Sequence, residues 1–176
     1  MQRKSLQAKE LRSKPGRWRV RLRLPGSGLT LLKRNRSQAA TIGNGVIPVT
    51  ELDRIAEARL EDGKALLAAG RYDGATYVCG YAVEVGLKAR ICRTLNWSDF
   101  PSTGGEFQAY RSFQTHELDV LLRLSGQEAR IKQQHFALWN AVAVWKAESR
   151  YNVVGTIQKA DAESMINAAE QLLKAL

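Results

Sequence analysis

The chain has 176 residues, 44% of them apolar, enough for one core and for one domain with at most an appendage. No apolar run reaches the ~18 residues of a helical membrane span, and the basic N-terminus is not followed by an apolar h-region, so no secretory signal is expected. The formal net charge of +10 divides unevenly: residues 1–36 carry +11 and residues 37–176 carry −1.

Residues 1–48 read as a basic leader, disordered or extended. Within it, residues 17–24 (RWRVRLRL) alternate arginine with Trp18, Val20, Leu22 and Leu24, the period of a strand. Pro25-Gly26-Ser27-Gly28 supplies turn chemistry, and residues 29–32 can return as a second short strand. A lone hairpin is marginal in water. Three readings stay open: an arm contacting nucleic-acid phosphates, a disordered leader, or upstream sequence joined to a protein that starts near Val46 or Val49. Gly43-Asn44-Gly45 lacks the strand-to-helix context and the following lysine of a phosphate loop.

From Thr50 the pattern is helical. Thr50 with Asp53 resembles a capping box, and Leu52, Ile55, Ala56, Leu60 and Leu67 form the stripe of a first helix, with Gly70 as its left-handed close. Asp73 is the expected N-cap of a second, central helix. There Ala75, Val78, Ala82, Val85, Ala89 and Cys92 recur with three-four spacing on one face, small enough for a partner helix to approach closely. A second face carries Tyr77, Tyr81, Glu84 and Lys88, with Glu84 four residues before Lys88 in the favourable order for an ion pair. Cys79 and Cys92 are thirteen positions apart on this helix, about 20 Å of rise, too far to bridge. With no C-x-x-C or Cys/His cluster, neither a metal nor a cofactor is expected. Two buried free thiols point to a reducing, cytoplasmic setting.

Residues 96–114 form a long aromatic-bearing loop, of the kind that is functional or mobile. Thr115 caps a short third helix with Leu118, Leu121, Leu122 and Leu124 on its apolar side and Glu117 and Asp119 in its first turn. Ser125 with Glu128 starts a fourth, lined by Ile131, His135, Leu138, Val142 and Trp145 and running to about Arg150-Tyr151. His135, Trp139 and Trp145 read as core residues. Residues 152–156 make a β-branched turn, and a last helix starts near Ile157 with Ala162, Ile166, Ala169, Leu173 and Leu176 in register. No strand is expected after residue 50. The fold class is all-α, an antiparallel bundle of about five helices over residues 49–176.

Over residues 50–176 the sequence resembles the HEPN domain family of small prokaryotic helical bundles. The matching residues are Gly70-Arg71-Tyr72-Asp73-Gly74-Ala75, Tyr81-Ala82-Val83-Glu84, Leu87-Lys88-Ala89, Thr115-His116-Glu117-Leu118, Trp145 and Arg150-Tyr151. The resemblance implies a five-helix bundle that commonly dimerises. It also implies work beside a minimal nucleotidyltransferase, in a toxin–antitoxin pair or as a substrate-binding half. Some members are metal-independent ribonucleases with an Arg-x(4–6)-His motif, usually followed at once by Asn, Asp or His after the arginine.

Arg111-Ser112-Phe113-Gln114-Thr115-His116 meets that spacing, with His116 as general acid/base on a ribose hydroxyl and Arg111 stabilising the phosphorane. Ser112 departs from the motif, and the pair lies before the third helix, whereas the nuclease motif belongs to a later one. The alternative places His116 at a helix start, bonded to backbone or to Glu84. Tyr81, Glu84 and Lys88 are either a buried polar network fixing helix register or the wall of a nucleotide or RNA site completed by Arg150 and Tyr151. Three functional readings follow. The first is a nucleotide-, RNA- or partner-binding module, homodimeric and paired with a nucleotidyltransferase. The second is a ribonuclease toxin using Arg111 and His116. The third is a structural helical adaptor.

Overall fold

A computed structural model describes residues 46–101, 113 and 115–176; the basic leader up to residue 45, with its hairpin and its proposed arm, lies outside the described residues. Six α-helices account for most of what is described: α1 (Val49–Ala68), α2 (Tyr72–Thr94), α3 (Leu118–Leu124), α4 (Glu128–Gln134), α5 (Phe136–Ala143) and α6 (Lys159–Ala175). A 3₁₀ turn, Ala147–Tyr151, lies between α5 and α6.

The expectation of no strand beyond residue 50 is overturned. Strand β1 (Val46–Pro48) pairs antiparallel with β2 (Asp99–Pro101), Ile47 opposite Phe100. Three residues are too few for a period-two signal, and a proline in each strand masks the pairing. The ribbon seats buried Phe100 in a cluster with Leu52, Ala56, Val85, Ala89 and Cys92.

Pro48 ends β1 and serves as N-cap of α1, so Thr50 falls inside the helix and its capping box with Asp53 does not form. Asp53 instead pairs with Arg93 of α2, which fixes the register of the two helices. Gly70 closes α1 as expected, at φ 72°. Its N–H donates to Leu67 O and that of Arg71 to Leu66 O, the paired bonds of a Schellman close. The chain then turns straight into α2, giving an antiparallel α1–α2 hairpin.

From Ala82 to Cys92 helix α2 is enclosed almost all round rather than along two seams. Ala82, Val83, Leu87, Ala89, Ile91 and Cys92 are all fully enclosed, and Glu84 with them. A helix that buries its whole circumference is a core helix, here packed on by α1, α3, α6, β2 and the 3₁₀ turn. Its small residues allow this. An added Cβ on Gly80 would lie 2.1 to 2.4 Å from ring atoms of Trp145, and one on Gly63 of α1 would lie 2.3 Å from Cys79 Sγ.

The single fourth helix expected to reach Arg150 is broken. Its backbone leaves the helical region at His135 (φ −131°, ψ 30°), although bonds to Ile131 O and from Trp139 N carry across. The apolar stripe of Ile131, Trp139 and Val142 continues through the break, which is why spacing conceals it. His135 is half-buried at that break rather than in the core. Helix α5 stops at Ala143, and Trp145 turns in to lie on Gly80 and to donate Nε1–H to Tyr77 O at 3.0 Å. The caps of α3 and α4 also differ from expectation. Ser125 is buried, donates to Leu122 O at 2.6 Å and closes α3, while Glu117 and Gln127 occupy the two N-cap positions.

Gly80→Ala is expected to destabilise the fold by about 1–3 kcal/mol through overpacking against Trp145. Urea unfolding measures it; an unchanged midpoint would mean that the indole does not sit on Gly80.

Candidate functional site

Two clusters grow from the polar stripe of α2. In the first, Glu84 is 1% exposed, a carboxylate carried inside because its helix is enclosed. Its Oε1 accepts from Lys88 Nζ at 2.5 Å and lies 3.0 Å from His116 Nδ1. Its Oε2 is buried without a hydrogen-bond partner. Lys88 sits 5.7 Å from the Phe100 ring centroid, in cation–π range. His116 precedes α3, 60% exposed at its side chain, in the arrangement that the alternative reading expected. With Nδ1 turned to the carboxylate, Nε2 has no hydrogen-bond partner among the described residues, the geometry in which a buried acid orients an imidazole. Thr115 does not cap α3; its hydroxyl accepts the Glu117 N–H at 3.1 Å. The Glu117 carboxylate pairs with Lys146 at 2.5 Å, tying the start of α3 to the segment before the 3₁₀ turn.

The second cluster lies nearer the start of α2. A cavity of about 530 Å³ opens between the first turns of α2 and residues 144–157, with Tyr77, Trp145, Arg150 and Thr76 in its wall. Tyr77 and Trp145 rings stand 6.0 Å apart, and the Arg150 guanidinium lies 4.7 Å from the Tyr151 ring centroid. The Tyr151 and Tyr77 side chains beside it favour the charged guanidinium and hold the Arg150 pKa above its ordinary value. Arg150 also donates to Ala147 O at 2.9 Å. Thr76 Oγ1 is buried and unpartnered. Two apolar lining residues stand open to solvent, Val144 at 78% and Val154 at 90% exposed.

The expected N-cap role of Asp73 is corrected here. The N-cap is Arg71, two residues earlier, and the Asp73 carboxylate reaches across to accept the N–H of Gly155 at 2.7 Å and of Ile157 at 2.9 Å. These two bonds hold its pKa below the ordinary carboxylate value and pin the loop that forms one wall of the cavity.

The five residues expected in one binding site therefore separate. Glu84 and Lys88 join His116, Arg150 and Tyr151 join Tyr77, and the exposed Tyr81 lies between them on the same helix face. Arg111 lies outside the described residues, as does any pairing of it with His116. Sequence reasoning passed over Thr76 and Tyr77 as site residues and took Trp145 for core alone; the three-residue step from Tyr77 to Gly80, with a tryptophan to fill it, is the signal that marks them.

Burial pushes the Cys79 thiol up to about 12 and the Cys92 thiol up to about 11, which leaves both protonated and poor nucleophiles. Among the described residues no group of three or more His, Cys, Asp or Glu is placed to hold a metal, and no helix is long and apolar enough to cross a membrane. Comparison with protein-family models, curated proteins and solved structures gives no match.

Because the folded pKa of Asp73 is depressed, its stabilising contribution is present above the ordinary value of 3.8 and is lost as pH falls through the folded value. Asp73→Asn is expected to lower Tm at pH 7, with the gap to the parent closing as the pH drops below 3.8. A gap independent of pH would remove the carboxylate from the loop's support.

Proposed function

We propose that residues 49–176 form a HEPN-like helical module that binds a nucleotide, free or within RNA, in the cavity walled by Tyr77, Trp145 and Arg150. The observation that carries this reading is the Arg150 guanidinium, set over the Tyr151 ring, lining one cavity with Tyr77, Trp145 and a buried, unpartnered Thr76 hydroxyl. An aromatic wall offers stacking to a base, a guanidinium offers paired donors to a phosphate, and the hydroxyl offers a donor to a base edge or ribose. The volume lies within the ~300–1,000 Å³ of small-molecule sites. The exposed apolar residues Val144 and Val154 at the cavity suit cover by a second copy or by a partner such as a minimal nucleotidyltransferase, so the module acts within an assembly of the toxin–antitoxin kind.

A second reading, a metal-independent ribonuclease, is favoured by one observation: Glu84 orients His116 through Nδ1, and Nε2 has no hydrogen-bond partner among the described residues. His116 would then move the proton of a ribose 2′-hydroxyl, with Arg111 completing the site. A structural adaptor has no use for either arrangement.

Calorimetric titration of the full chain with AMP and with a short single-stranded RNA tests the first reading. Saturable binding weakened at least ~10-fold by Arg150→Ala, about 1.4 kcal/mol, is expected; binding untouched by that change would remove the cavity from the function. RNA cleavage in EDTA tests the second. A fall of roughly 10²–10⁴ in His116→Ala, with folding intact, would establish the ribonuclease, and no cleavage by the parent would dismiss it.

A further inference from the structure

A second cavity, of about 580 Å³, lies between α1, the end of α2 and the end of α6. It shares no lining residue with the Arg150 cavity. Its apolar wall is Ala56, Leu60, Leu173 and Leu176. Gly86 faces Leu173 so closely that an added Cβ would lie 2.4 Å from its Cδ2, which brings α2 and α6 together along one side.

The charges around this wall are almost all committed to one another. Arg93 pairs with Asp53, Lys64 with Glu61 and Glu170, and Lys174 with Glu170. Arg90 is the exception among the cations. It has no ion-pair partner among the described residues, and its Nε is buried without a hydrogen-bond acceptor. Arg90 lies one turn before Arg93 on α2, and the exposed Glu57 of α1 lines the groove with it, also without an ion-pair partner among the described residues. A planar cation with an unmet N–H beside an apolar wall is built to receive a planar anion.

We propose that this groove is a separate ligand site for a small monocarboxylate with an apolar body. The carboxylate is taken by Arg90, and the body lies on Leu60, Leu173 and Leu176. One uncommitted cation matches one negative charge. With Asp53, Glu61 and Glu170 already paired, the acid left near Arg90 is Glu57, and it repels a dianionic phosphate more than a monocarboxylate.

Octanoate is the probe, titrated into the full chain and followed by amide NMR, beside octanol and inorganic phosphate. Octanoate is expected to shift the amides of Leu60, Gly86, Arg90 and Leu173 saturably, with octanol binding at least tenfold more weakly. Arg90→Gln, which keeps a planar polar end, is expected to weaken octanoate at least tenfold. Equal binding of octanol, scattered or unsaturable shifts, or phosphate acting on the same amides would each overturn the proposal. Should Arg90→Gln fail to fold, the comparison of octanoate with octanol on the unaltered chain decides alone. The outcome is independent of AMP binding, which reads the other cavity.

Discussion

The placement of one carboxylate inside an enclosed helix governs the arrangement of the site. Glu84 projects from α2 where that helix is packed on every side, and a buried carboxylate without partners is costly. Lys88 answers it from one turn along the same helix and His116 from the segment before α3. The position of α3 on α2 and the orientation of an exposed imidazole thus follow from one electrostatic demand. Removing one member of such a set leaves an uncompensated charge, the case in which buried pairs matter most.

Helix α2 also organises both cavities. Near its start, Tyr77 and Gly80 accept the indole of Trp145, and Trp145 positions the 3₁₀ turn that carries Arg150. Near its end, Arg93 pairs with Asp53 of α1, and Arg90 lines the second groove with its Nε lacking an acceptor. Arg150 and Arg90 thus come to line the two separate cavities along α2. Asp73 adds a long-range tie, holding the loop of residues 153–157 against the first turn of the same helix.

The α1–α2 hairpin and α6 were legible from spacing and from Gly70, because amphipathic periodicity and a left-handed close are local signals. The all-round burial of α2 was read as two seams, since small residues satisfy several packings at once. Strands β1 and β2 escaped for want of length. The break at His135 escaped because Ile131, Trp139 and Val142 keep their stripe across it. Of the site, Glu84, Lys88, Arg150 and Tyr151 were legible as residues, but not their division into two clusters. The Glu84–His116 contact, 32 positions apart, is one the sequence reading did offer for His116, whereas the bonds of Asp73 to a loop more than 80 positions away were not expected. Such contacts depend on where the helices cross, which no local spacing encodes.

The most direct test of this account is a double-mutant cycle on Glu84→Gln and Lys88→Met, read by urea unfolding. Lys88→Met alone is expected to cost about 3–5 kcal/mol by stranding the buried carboxylate, and the double variant to recover at least ~1 kcal/mol relative to the sum of the single changes. Strictly additive losses would contradict the claim that Glu84 is the charge to which the site is built.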